Sequence, residues 1–120
     1  MYIPATDHLP LAEHRLPAPD AGPLELKARL IAHVEWDIAP ELVFEESPAV
    51  KVSIRLFEAP DGQVVYCSIH LDPSGEVTYY DLAVRPGLRE FFEEKYDRDV
   101  HFLTKETLLK AMLQQASTAQ

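Results

Sequence analysis

The only cysteine of the chain stands close to a histidine in the stretch Cys-Ser-Ile-His, residues 67–70. A cysteine in contact with a histidine could act as a nucleophile with its base. The neighbouring residues alternate between apolar and polar types, as in a β-strand, and strand residues three apart point to opposite faces. We therefore predict that Cys67 is buried, that His70 lies on the other face, and that the two form no catalytic pair.

Spacings typical of metal or nucleotide sites are missing from the sequence. His33, Glu35 and Asp37 would share one face of a strand, but no Cys-x-x-Cys or His-x-x-x-His pattern accompanies them. None of the four glycines belongs to a phosphate-binding loop. We expect no cofactor, no bound metal and no catalytic residue, so a binding protein is favoured over an enzyme.

Aromatic, charged and hydroxyl side chains alternate through residues 51–81, and they are the best candidates for a binding surface. The alternation predicts that they lie together on one open face of a β-sheet. Residue types of this kind dominate protein interfaces, although a solvated sheet face is the alternative. The predicted binding set on this face is Arg55, Phe57, Tyr66, Ser68, His70, Tyr79 and Asp81.

An acidic run without lysine or arginine is the second candidate. It could steer a basic protein surface towards the chain, or it could be a solvated loop and helix end. The formal net charge of −9 favours a basic partner and disfavours nucleic acid, although acidity can also serve solubility alone. The acidic run consists of Glu35, Asp37, Glu41, Glu45 and Glu46.

The elements that would position these residues are clearest between residues 49 and 84. Three apolar-rich runs are separated by Pro-Asp-Gly and Asp-Pro-Ser-Gly, which are turn signals. With Asp61-Gly62 as a two-residue type I′ turn, Leu56 pairs with Cys67, Val52 pairs with Leu71, and every such partner is apolar. The sequence therefore predicts an antiparallel meander that buries Leu56 and Cys67 on the same face.

Residues 24–38 fit two structures. Every even position is apolar, and every odd position except Ile31 is charged or histidine, which suits a strand. The segment is also rich in helix-forming residues, has apolar residues four apart, and is bounded by Pro23 and Pro40. The helix is the favoured prediction and the strand the alternative.

Two helices are predicted after the meander. The first begins near Pro86, and its apolar positions are Leu88, Phe91, Phe92 and Tyr96. The second covers residues 104–115, with Thr104 as its N-cap and Leu103 packed on Leu108. Its predicted buried residues are Leu108, Leu109, Met112 and Leu113.

The chain of 120 residues fits one domain. Residues 1–23 hold five of the ten prolines and are predicted to form an extended arm, followed by a single domain over 24–116 and a frayed tail over 117–120. The fold class is α+β: an antiparallel meander of three to four strands, packed on one face by helices.

The sequence also favours a compartment and a class of partner. The N-terminus has no signal-peptide pattern, no apolar run is long enough to span a membrane, and the cysteine is alone, which together favour the cytoplasm. We expect a small acidic protein-binding module for a basic protein partner, either an inhibitor or immunity-type protein or a chaperone or adaptor. A small-ligand domain or enzyme with a polar pocket on the sheet is the alternative. The oligomeric state stays open, a homodimer included.

Overall fold

The computed structural model describes residues 2–16, 23–38, 50–94 and 100–118, with side chains described as far as Ala116. Within this part of the chain, five strands form one antiparallel sheet in chain order, followed by two helices. The elements are β1 (Ala12–Leu16), β2 (Leu24–Asp37), β3 (Lys51–Glu58), β4 (Val64–Leu71), β5 (Val77–Arg85), α1 (Leu88–Glu93) and α2 (Phe102–Thr118). The α+β class is confirmed, with more strands than the three or four predicted.

The favoured prediction of a helix over residues 24–38 is wrong, because this segment forms the strand β2. It pairs with β1 through its first half and with β3 through its second half. Helix propensity is a weak preference of a few tenths of a kcal/mol per residue. Backbone pairing with β1 in one half of the segment and with β3 in the other outweighs this helix preference. Only the folded sheet provides that pairing.

A β-bulge at Ile31 explains why the even-numbered apolar side chains of β2 lie on one face of the sheet before this residue and on the other face after it. Leu30 pairs with Phe57 while Ala32 pairs with Leu56, so Ile31 is one extra residue in β2. An extra residue moves all later side chains of the strand to the opposite face. Ile31 is therefore the apolar exception at an odd position, and its own side chain is fully buried.

The first hairpin has a three-residue loop, so the predicted two-residue turn at Asp61-Gly62 is wrong. The Ala59 amide donates to the Gln63 carbonyl (2.8 Å), and the Gly62 amide donates to the Ala59 carbonyl (2.9 Å). Gly62 has a φ of 90°, and no non-glycine residue of the described chain has a positive φ. A type I′ turn needs two such residues. Instead, the fixed φ of Pro60 suits the second position of the turn.

This turn shifts the pairing of β3 with β4 by one residue from the prediction. Leu56 pairs with Tyr66, and Cys67 pairs with Arg55. Paired residues share a face, so Leu56 and Cys67 lie on opposite faces of the sheet. We call the face that contains Leu56 the helix-side face, because α1 and α2 pack against it, and we call the opposite face the outer face.

The second hairpin also has a three-residue loop that ends in a glycine of positive φ. Gly75 has a φ of 90°, and the Asp72 amide donates to the Glu76 carbonyl (2.9 Å). A register irregularity beside Leu71 then shifts the pairing of β4 with β5. Cys67 pairs with Leu82 rather than with Tyr80, a difference of two positions. A two-residue shift keeps the faces, so these three residues share one face, as predicted.

Apolar side chains are buried on both faces of the sheet. On the helix-side face, the side chains of β2, β3 and β4 pack against Phe91, Leu108 and Met112 of the helices. On the outer face, Phe57 and Cys67 belong to a second cluster that includes residues of β1 and β2. The sheet therefore curls, since the hairpin of β1 and β2 contributes to the outer cluster while the end of β2 contributes to the helix-side one.

The helices agree with the prediction in part. Phe91 and Phe92 of α1 are buried as expected, whereas Tyr96 lies outside the described residues. Because α2 already begins at Phe102, Thr104 stands inside the helix and cannot be its N-cap. Leu103 is exposed, so its predicted packing on Leu108 does not form. The buried positions of α2 are Leu108 and Met112, with Leu109 half-buried and Leu113 exposed.

The extended Pro-rich arm over residues 1–23 is not confirmed. Ala12–Leu16 forms β1, an edge strand of the sheet. Before it, the Thr6 hydroxyl donates to the Glu58 carboxylate, and Arg29 Nε donates to the Leu9 carbonyl (3.2 Å). These bonds hold the segment before β1 on the sheet. Among the described residues, no helix is long and apolar enough to cross a membrane.

Candidate binding groove

An open groove lies on the helix-side face, where β2 to β5 approach the start of α2. It encloses about 380 Å³. Strands contribute most of the lining side chains, and α2 with the residue before it contributes the rest. The lining residues are Trp36, Val52, Ile54, Tyr66, Ser68, His70, Tyr79, Asp81, His101 and Thr104.

Five residues of the predicted binding set meet in this groove. The register of β4 with β5 places Ser68 opposite Asp81 and His70 opposite Tyr79, and Tyr66 lies on the same face of β4. The rings of His70 and Tyr79 have centroids 4.9 Å apart. This part of the prediction depended only on alternation along two strands, which an even-numbered register shift leaves intact.

Arg55 and Phe57 do not join them, so the prediction that one face holds the whole set is wrong. Phe57 is fully buried in the outer cluster, with the His14 ring at a centroid distance of 4.7 Å. Arg55 is on the same face, paired with His33 and Cys67. The physical reason is the three-residue loop, since a shift by one residue moves every side chain of β3 to the other face.

Asp81 gives the groove its charge. The described residues that line the groove include no lysine or arginine, and Asp81 is the one carboxylate among them. No hydrogen bond or ion pair joins this carboxylate to another residue in the described part of the chain. Asp81 is half-buried. A half-buried carboxylate without a partner favours a cationic group beside it.

The other ionisable groups of β4 in the groove are held neutral. Burial raises the pKa of Tyr66, and the nearby Asp81 carboxylate raises it further, against a hydrogen bond with Ser68 that lowers it. Burial lowers the pKa of His70 below its ordinary value, so its ring is neutral at neutral pH. Neither residue offsets the negative charge of Asp81.

Two aromatic rings stand at the rim of the groove with large exposed surfaces. Trp36 is 43% exposed and Tyr79 is 53% exposed. Tyrosine and tryptophan rings are enriched at protein interfaces. Faces of aromatic rings attract cations. Together with Asp81, these rings make the groove suited to a flat or elongated cationic side chain.

Sequence reasoning missed five groove residues: Val52 and Ile54, which it placed on the opposite face, and Trp36, His101 and Thr104. A signal for Trp36 existed, because the apolar exception at Ile31 marks the bulge that turns Trp36 to the helix-side face. His101 and Thr104 had no comparable signal. They reach the groove only because α2 packs across the sheet.

The acidic run is divided by the structure. Glu35 and Asp37 are exposed at the end of β2, on the face opposite Trp36. Glu35 Oε1 is 3.2 Å from His33 Nε2, and Glu35 Oε2 is 3.9 Å from Lys51 Nζ. Glu41, Glu45 and Glu46 lie outside the described residues. The described part of the run is therefore not in the groove.

Cys67 is buried and lies on the opposite face from His70, which confirms that they form no pair. Its side chain is 3% exposed, and burial raises the pKa of its thiol to about 11. The same alternation separates His70 from His33, so a metal site between them does not form. Among the described residues, no group of three or more His, Cys, Asp or Glu side chains could hold a metal ion.

Comparison with known proteins identifies no relative: no family model, no curated protein and no solved structure matches the chain.

Proposed function

We propose that the protein is a small protein-binding module whose groove holds a cationic side chain of a basic partner. The observation that carries this proposal is the Asp81 carboxylate, which is half-buried and without a partner in the described residues, in a groove that the exposed rings of Trp36 and Tyr79 also line. A lysine or arginine side chain can pair with the carboxylate while its stem lies against the neighbouring Tyr79 ring.

A protein partner fits the shape of the groove and the charge of the chain. The groove is open, and Trp36 and Tyr79 stand at its rim, where a second protein surface could cover them. The formal net charge of −9 would attract a basic surface over a longer range. The exposed carboxylates Glu35 and Asp37 can add to this attraction from beyond the groove.

A module of this kind would act by binding its partner rather than by catalysing a reaction. It could block a basic partner, as an inhibitor or immunity-type protein does, or hold it, as a chaperone or adaptor does. The proposal includes a cytoplasmic location, since a lone, buried cysteine suits a reducing compartment.

The test first identifies the partner by photo-crosslinking in the native host. The crosslinking residue p-benzoylphenylalanine replaces Thr104 in the groove and, in a matched control, Glu13 on β1. A protein captured through position 104 and not through position 13 is identified by mass spectrometry and produced as a pure partner.

The affinity of that partner then decides the proposal. Asp81→Asn and Tyr79→Ala should each weaken binding by about 1–3 kcal/mol, as expected for residues that the partner covers fully. The control Glu13→Gln, an exposed carboxylate on the opposite edge strand, should change it by less than about 0.5 kcal/mol. Equal affinities for all four proteins would show that the partner uses another surface.

A small cationic ligand is the second candidate, favoured by the volume of the groove. The 380 Å³ lie in the range of small-molecule sites, roughly 300–1,000 Å³. Titration with choline and with arginine methyl ester, followed by NMR shifts of groove residues, separates the candidates. Saturation at micromolar concentration, lost in Asp81→Asn, would favour the small ligand. Weak millimolar shifts alone would favour a side chain presented by a protein.

A further inference from the structure

The outer edge of β5, next to the groove, pairs with no strand in the described part of the chain. This strand is the last of the sheet, and within the described residues only β4 pairs with it. The Val84 carbonyl accepts a hydrogen bond from Arg85 Nη1 (2.9 Å), which leaves the edge from Val77 to Ala83 for pairing. This edge is rich in β-branched and aromatic residues, and it contains no lysine or proline of the kind that blocks strand addition.

The two faces of β5 differ in chemistry. Towards the groove, β5 presents Tyr79 and Asp81. Towards the outer face, it presents Tyr80, Leu82 and Val84, of which the first two are half-buried and Val84 is 47% exposed. A strand added beside β5 would meet an acidic aromatic surface with one set of side chains and an apolar surface with the other.

We propose that the partner binds as an extended segment that adds a sixth strand to the sheet along β5, with basic residues alternating with apolar ones. This inference rests on the proposed function and specifies the form of the partner. Its basic side chains enter the groove beside Asp81, and its apolar side chains extend the outer face past Leu82 and Val84. Backbone hydrogen bonds to β5 hold the segment, and the two faces select its sequence.

A second copy of the chain is the poorer occupant of this edge. Its own β5 would bring another carboxylate, Asp81, where the groove favours a cation. Two chains of formal charge −9 also repel each other. The opposite edge, β1, is less suited to addition because it has only five residues, whereas β5 has nine.

The experiment uses short peptides of alternating lysine and valine and the full chain. The first peptide is unmodified. In the second, the lysine amides are N-methylated, and in the third the valine amides are N-methylated. Because consecutive amides of a strand point to opposite sides, one of the two methylated peptides cannot pair with β5 and the other can. A fourth peptide has the same composition with lysines and valines in separate blocks.

Affinities are measured by calorimetry, and the site is mapped by NMR amide shifts. We expect one methylated peptide and the block peptide to bind at least about tenfold more weakly than the unmodified peptide, with shifts centred on β5. Asp81→Asn should weaken the unmodified peptide by about tenfold, and the control Glu13→Gln should leave its affinity unchanged.

The outcomes separate this inference from the proposed function. If both methylated peptides bind as well as the unmodified one while Asp81→Asn still weakens binding, strand addition is wrong and the cation-binding groove stands. If neither methylation nor Asp81→Asn changes affinity, both fail. NMR shifts centred on β1 would show that the peptide binds the other edge of the sheet. Dimers of the free chain, seen in sedimentation and broken by Leu82→Lys, would show that β5 pairs with a second copy. Either result would overturn the inference.

Discussion

Leu56 and Phe57 are neighbours in β3, both fully buried, yet they belong to the cores on opposite faces of the sheet. On the helix-side face, α1 and α2 pack against the sheet, and the groove lies where β2 to β5 approach the start of α2. The outer face is covered over β3 by the curled hairpin of β1 and β2, and it becomes half-exposed towards β5. The candidate groove therefore lies where a core ends, not on a separate polar face.

The largest expected effect tests whether both cores stabilise the fold. Leu56→Ala should lower the free energy of unfolding by about 2–5 kcal/mol, and Phe57→Ala by about 3–5 kcal/mol, because each leaves a cavity in a filled core. Urea unfolding measures both changes. The control is Val84, which is 47% exposed on the outer face of β5, and Val84→Ala should cost under about 1 kcal/mol. A small effect of Phe57→Ala would mean that the outer cluster is not a true core.

The next effect concerns the turn that decides which residues face which core. Gly62 has a φ of 90°, and a Cβ built there would meet no atom within 4 Å, so the strain lies in the backbone alone. Gly62→Ala should therefore cost about 1–2 kcal/mol. Gly62→Asn should cost less, since asparagine tolerates the left-handed region. Equal costs for the two variants, measured by thermal unfolding, would argue against the three-residue loop.

The thiol of Cys67 tests burial on the outer face. Its pKa is raised to about 11 from an ordinary 9.0, so the folded state favours the neutral thiol. A raised pKa stabilises the fold below the ordinary value, and this contribution is lost as the pH rises towards 11. By about pH 10 the loss should reach about 1 kcal/mol.

Unfolding at alkaline pH, compared between wild type and Cys67→Ala, measures this contribution. The wild type should lose more stability than the variant between about pH 8 and pH 10. In the native protein at neutral pH, labelling by a thiol reagent should be slow. Rapid labelling at neutral pH would place Cys67 at the surface and contradict a closed outer cluster.

The smallest effect is electrostatic and lies in the groove. The Asp81 carboxylate adds to the raised pKa of Tyr66, so Asp81→Asn should lower that pKa. It should stay above its ordinary value of 10.0, because burial is the larger cause. An NMR titration of ring resonances follows this change, with Tyr79→Phe used to assign the neighbouring ring. An unchanged pKa would mean that Asp81 does not point towards Tyr66.

Predictions that needed only local alternation were confirmed. Cys67 and His70 lie on opposite faces because a strand has a period of two, whatever its partners are. Tyr66, Ser68 and His70 share a face for the same reason. The α+β class likewise follows from a strand pattern followed by a helix pattern, and neither needs a tertiary contact to be recognised.

Predictions that needed the geometry of a turn or a bulge were wrong. Asp61-Gly62 is a strong hairpin signal, but Pro60 before it takes the second position of a longer turn, and one additional loop residue reversed the faces of β3. The same one-residue shift explains why Arg55 and Phe57 do not share a face with the other residues of the predicted binding set. For β2, helix-forming residues outweighed alternation in the prediction, although Ile31 already marked the bulge.

The sequence by itself determined the alternation of β3, β4 and β5, the burial of Cys67 and the acidity of the chain, because these depend on residue type and on neighbours along the chain. The tertiary structure alone decided the register of β3, the side of the sheet to which each half of β2 turns, and the presence of Trp36 and Asp81 in one groove. These depend on which segments pair and on where α2 packs. A shift of one residue changes no composition and little local preference, yet it exchanges core and surface along a whole strand.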